Sequence, residues 1–136
     1  MSGVDFTQSE SSHHSNFVFV PDTSYTGDDG IWTCSDRSYD FYSAVAQGGV
    51  LFAQSTQSTS DEEKFAAGAA IRLPPHTRII SDIHLLNATP ASITGHATIT
   101  IDEAKAADVT VKLKAFHMEY TQSPPGKFES ARAIVL

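Results

Sequence analysis

Apolar and polar side chains alternate with a period of two along most of the chain, and no segment carries an apolar stripe of 3.6-residue period at helical length. The pattern predicts an all-β protein. Asn16-Phe17-Val18-Phe19-Val20 reads as a buried strand stopped by Pro21, and residues 22–30, rich in Asp, Thr, Ser and Gly, read as a loop. Residues 32–34 and 41–46 have the composition of short strands, and Gly48-Gly49 turns the chain into a further strand, Val50-Leu51-Phe52-Ala53. Residues 54–64 are rich in Ser, Thr and Gln and then acidic, which predicts an exposed loop or one helical turn around Asp61 to Phe65.

The strongest alternation runs from Thr77 to Asn87. Ile80, Asp82, His84 and Leu86 share one face and Ile79, Ser81, Ile83 and Leu85 the other, which predicts a strand covered at least partly on both sides. Ile93, Gly95, Ala97, Ile99 and Ile101 then alternate with Thr94, His96, Thr98 and Thr100, the signature of a half-buried antiparallel strand. Val109, Val111, Leu113 and Ala115 follow after a turn, so these two segments are expected to form a long hairpin. Together the segments predict about seven or eight strands, arranged as an antiparallel β-sandwich or jelly roll. Residues 1–12 read as a polar N-terminal arm, 13–122 as the single sandwich domain and 123–136 as an extended C-terminal segment, because Ser123-Pro124-Pro125-Gly126 cannot join a central strand.

Composition narrows the function classes. A chain of 136 residues with 40% hydrophobic content supports one core. Sixteen acidic against nine basic side chains give a net charge of −7 with no Lys/Arg cluster, which argues against nucleic-acid binding. The longest apolar runs fall far short of the roughly 20 residues of a membrane-spanning helix, so no membrane partner is expected. The first seven residues show neither the basic nor the apolar region of a secretory signal. Cys34, the sole cysteine, can form neither an intramolecular disulfide nor a Cys-based zinc site.

Six histidines are the compositional hint of chemistry. His13 and His14 are adjacent and immediately precede the apolar strand. Neighbouring strand residues point to opposite faces, so two vicinal imidazoles can share an ion only where a strand begins or bulges. The alternative is a polar, disordered arm. His84 sits within an apolar strand, where an imidazole needs a partner. It either hydrogen-bonds Asp82 on the same face as an ordinary core histidine, or ligates a metal while a carboxylate or carbonyl holds its second nitrogen. His96 reads as a solvent-facing sheet residue, His76 as a loop residue and His117 as a strand-end residue beside a core Met118.

The order of these elements resembles the first domain of the copper type II, ascorbate-dependent monooxygenases, the family of peptidylglycine alpha-hydroxylating monooxygenase and dopamine beta-monooxygenase. The matching features are His13-His14 before Phe17-Val18-Phe19-Val20, then Trp32-Thr33-Cys34, Leu51-Phe52-Ala53 and Gly68-Ala69-Ala70-Ile71-Arg72-Leu73. They continue through Leu73-Pro74-Pro75-His76-Thr77-Arg78, His84-Leu85-Leu86-Asn87 and Pro124-Pro125-Gly126. The resemblance implies a mononuclear copper site made by His13, His14 and His84, and a secreted or periplasmic setting. Imidazole nitrogens suit both oxidation states of copper, and zinc accepts the same ligands. In the family this copper stores and delivers an electron, while oxygen is activated at a second copper held by a His-x-His pair and a Met in another domain. This sequence contains no His-x-His. It therefore resembles the electron-transfer half of a hydroxylase, with no catalytic residue of its own, whose partner would be a second copper domain or a second copy of the chain and whose substrate is an unspecified small molecule. The alternative expectation is a non-catalytic β-sandwich interaction module that keeps the scaffold without the metal.

Overall fold

The computed structural model describes residues 1–54, 58–114, 116–123 and 127–135, the last two stretches by backbone alone. The chain forms β1 (Gly3–Gln8), β2 (Ser12–Pro21), a 3₁₀ turn (Cys34–Arg37), α1 (Phe41–Gln47), β3 (Gly49–Gln54), β4 (Ser60–Lys64) and β5 (Ala69–Ile71). It continues through β6 (Thr77–Leu85), β7 (Ala97–Asp102), a second 3₁₀ turn (Ala106–Asp108), β8 (Val111–Leu113), β9 (Phe116–Ser123) and β10 (Lys127–Val135). Two three-stranded antiparallel sheets, ordered β4-β1-β7 and β3-β2-β6, build the sandwich. The all-β architecture matches the alternation in the sequence.

The sandwich interior is filled by Val4 and Phe6 from β1, Phe17 from β2, and Leu51 and Phe52 from β3. Ala97, Ile99 and Ile101 of β7 pack against this cluster while Thr98 and Thr100 face solvent, as the alternation predicts. Val18 and Val20 point the other way and join Ile80 of β6 and Ala44 of α1 in a second core. Tyr25, Trp32 and Tyr39 from the long loop complete that layer. β2 is thus buried on both faces, which explains its nearly continuous apolar sequence.

Several local expectations are corrected. Residues 3–8 are a core strand and not part of a polar arm: Val4 and Phe6 are fully buried, whereas the outward Asp5 and Thr7 give the segment its polar look. Residues 41–46 are helical. Phe41, Ala44 and Val45 share one face, and the Asp40 carboxylate accepts a 2.8 Å hydrogen bond from the Ser43 backbone N–H as an N-cap. Bonds from Ser43 hold that carboxyl below the usual carboxylate range. Gly48 ends the helix against β2, where a Cβ would overlap the Phe19 carbonyl oxygen. Residues 32–34 form no strand, because the chain turns there into the 3₁₀ helix.

Residues 60–64 are strand β4 and neither loop nor helical turn; their charge marks an edge. Asp61, Glu62 and Glu63 discourage further pairing, and Lys64 Nζ lies 2.7 Å from Asp5 Oδ2 and also contacts Asp102, stitching the three strands at their exposed face. The expected hairpin between residues 93–101 and 109–115 does not form. β7 pairs with β1, and β8 runs parallel to β5 through Ala69↔Val111 and Ile71↔Leu113. Residues 127–135 pair as strand β10 with β9, where an extended tail was expected, while Pro124-Pro125-Gly126 and Ala115 lie outside the described residues.

Candidate metal centre

The register between β2 and β6 places the histidines. From His14↔His84 to Pro21↔Thr77 the pairing is continuous, but Ser12 pairs with Leu85, so His13 is an extra residue in a bulge. The bulge breaks the strict alternation of faces, and the His13 and His14 rings lie 4.9 Å apart between centroids. His84 stands directly across the ladder from His14 with the rings 4.2 Å apart and inclined by 30°. Residues separated by seventy positions in sequence are thereby gathered into one imidazole cluster at the end of the central strand pair.

Each ring has its own environment. His13 Nδ1 is buried and has no hydrogen-bond partner, a state that an interior polar atom rarely keeps unless water or an ion supplies the missing contact. Burial, followed by the proximity of His84 and His13, lowers the His14 pKa, against a smaller opposing pull from Asp82. Neutral imidazole is the form that ligates metals. His84 Nε2 lies 3.3 Å from Asp82 Oδ1, so the same-face contact foreseen for this pair is present. The cover expected over His84 is not. Ile80 is buried, but beyond it β6 emerges as an edge strand with the His84 side chain 51% exposed.

The His14 shift carries a pH signature. A histidine whose folded pKa is depressed contributes stability fully above its unfolded value, near 6.5, and loses it as pH falls through the lower folded value. The urea midpoint of the metal-free protein is expected to fall below pH 6.5, and His14→Gln to flatten that dependence. A variant with the parent's slope would exclude His14 as a source.

Among the described residues, no group of three or more His, Cys, Asp or Glu side chains is placed to hold a metal ion. The His14 and His84 rings are tilted by 30° with centroids 4.2 Å apart. The three imidazoles and the unpartnered His13 nitrogen fit a nitrogen-ligated ion in donor type, and the lowered His14 pKa favours its neutral form; the arrangement described is not that of a closed site.

The remaining histidines stand apart. His96 is exposed and its backbone N–H donates to Ser9 Oγ, while His76 occupies a loop with Nδ1 3.3 Å from Asp22. His117 lies on the β9 backbone, and its side chain is outside the described residues.

Beside the cluster a groove of about 800 Å³ is lined by Trp32, Tyr39, Arg78, Asp82, Ile83 and Leu85, among others. Its loop wall is tied down by two arginines that donate to the same carbonyl, Arg37 Nη1 at 3.0 Å and Arg78 Nη1 at 2.5 Å from Tyr25 O. The Arg37 guanidinium also lies 4.6 Å from the Trp32 ring centroid. Burial, and then the negative charge of Asp82, raise the Tyr39 pKa. Tyr39 and Arg37 carry no signal in the sequence, since irregular loops have no periodicity to follow, and Arg78 enters there only as part of the Leu73-Pro74-Pro75-His76-Thr77-Arg78 element. No family model matches this chain, and no curated protein or solved structure matches it.

Proposed function

We propose that this protein binds one copper ion through His13, His14 and His84 and serves as the electron-delivering half of an ascorbate-dependent copper monooxygenase. The observation that carries the proposal is the bulge that brings His13 beside His14, opposite His84. Bound copper would supply one-electron storage and release. The chain's contribution is placement: β2 fixes two ligands, β6 brings the third across the ladder, and His13 offers a buried nitrogen that lacks a partner. Hydroxylation by O2 needs a further oxygen-activating site. The proposal assigns that site to a second copper domain, since the chain has no His-x-His pair. Zinc competes for the same donors.

Reconstitution with one equivalent of Cu(II) is expected to give a single type 2 electron paramagnetic resonance signal with nitrogen superhyperfine structure. His84→Ala should abolish that signal or weaken binding at least tenfold; a variant that binds as tightly as the parent excludes the site.

A second reading, a β-sandwich interaction module without metal, draws support from β6. Its outer edge has no partner strand among the described residues, and Ile83 and Leu85 are 43% and 64% exposed. Light scattering on the same samples separates the two: a dimer indifferent to chelator, in a protein without the copper signal, supports the module.

A further inference from the structure

We infer that the open edge of β6 is a docking groove for an extended basic segment of another protein, an inference that rests on the interaction reading of β6 and needs no copper. The groove beside the strand is lined by every residue from Thr77 to Ile83. Neighbouring strand residues point to opposite faces, so a single groove that meets all of them follows the strand's edge, where alternate residues turn backbone N–H and C=O groups outward. β2 takes the other edge, and no strand pairs this one among the described residues. At about 3.3 Å per residue this stretch runs for about 20 Å, the length of one added strand. Its two faces differ. Trp32 and Tyr39 from the long loop pack with Ile80 on the face that carries Asp82, whereas Ile79 and Ile83 on the opposite face are exposed. The side chains of an added strand would therefore alternate between a partner for Asp82 and apolar cover for Ile79 and Ile83.

Charge specifies the partner of Asp82. Its side chain is 14% exposed, and among the described residues no Lys or Arg lies within ion-pair distance; its neighbour is His84, with Nε2 3.3 Å from Oδ1. Burial and the Asp82 charge together raise the Tyr39 pKa, so that phenol stays protonated and adds no second charge. A mostly buried carboxylate beside aromatic rings suits a Lys or Arg side chain, whose methylenes lie on the rings while its head reaches the charge. The groove's own arginines are engaged elsewhere: Arg37 Nη2 donates to Asp28 O at 2.6 Å and Arg78 Nη2 to Gly27 O at 3.3 Å, and both also bond Tyr25 O. Asp22 and Asp29 add negative charge to the lining, and the chain as a whole carries −7. A second copy would bring that same net charge to the groove, so complementarity favours a basic partner.

The test uses the full metal-free chain and a capped peptide of about seven residues, a central lysine flanked by alternating valine and threonine. Calorimetry should detect binding, with ¹⁵N amide shifts and slowed amide exchange centred on residues 77–83. Glutamate in place of the lysine should weaken binding at least tenfold, and Asp82→Asn, which keeps the shape and removes the charge, should erase most of that preference. Two further peptides carry N-methyl groups on alternate residues, one set in each. Only one set can donate to β6, so one peptide should bind like the parent and the other at least tenfold more weakly; this comparison needs no protein variant and serves if Asp82→Asn does not fold. Equal binding of the lysine and glutamate peptides overturns the basic partner, and equal binding of the two methylated peptides overturns strand addition. If no peptide binds and light scattering shows a dimer, the inference fails while the interaction reading stands. If no peptide binds and the protein is monomeric, both fail.

Discussion

Phe17→Ala is expected to lower the unfolding free energy by about 3–5 kcal/mol. Phe17 is 2% exposed and sits where the two sheets meet, edge-on to Phe6 with centroids 5.4 Å apart and tilted toward Phe52 at 6.0 Å. Its removal deletes contacts to both sheets at once. β2 is paired on both edges at this position, so the strand cannot move in to close the cavity. Domains of ordinary stability have about 5–15 kcal/mol in total, so the variant should be partly unfolded near the low end of that range. Urea unfolding should show a lower midpoint at a similar slope. A loss below about 1 kcal/mol would mean that Phe17 does not anchor the sandwich.

The second large effect follows from the proposed site and is stabilisation by copper. If copper binds the folded chain and not the unfolded one, free Cu(II) at about 1,000 times its dissociation constant adds about 4 kcal/mol. For a domain of this size the thermal midpoint should then rise by roughly 10–20 °C. Chelator should reverse the rise, and the double replacement of His13 and His14 by Ala should remove it while leaving the metal-free midpoint within a few degrees. Both side chains lie at the end of β2, beyond its apolar run, so their loss spares the two cores. A rise that survives the double replacement would place the stabilising ion elsewhere.

Elements marked by a continuous apolar run or by a regular alternation are legible in the sequence, and those set by long-range pairing are not. β2 announces itself through Phe17 to Val20, and β7 through its Thr face. β1 was hidden because its inward set is only Val4, Phe6 and Gln8, too short to outweigh the polar residues around it. The helix at Phe41–Gln47 has two turns, too few for a 3.6-residue period to emerge. The pairing of β7 with β1, and of β8 with β5, depends on contacts between distant segments that no local pattern encodes. For the site, sequence placed His13 and His14 at a strand start and His84 beside Asp82. The bulge, the cross-strand register and the exposure of β6 had to come from the fold.

The outer edge of β6, unpaired among the described residues, gives the cluster two unequal sides. Immediately after the two vicinal histidines, β2 is hydrogen-bonded to β3 and β6 from Ser15 to Phe19, so that strand opens only when much of the domain opens. Among the described residues β6 has a strand neighbour on one edge alone, and its last residues face solvent. Opening is therefore cheapest at His84. Amide exchange should be slow along the first strand and fast along the end of the second. An ion held between them would be shed by the departure of one ring, with the other pair left in place to recapture it.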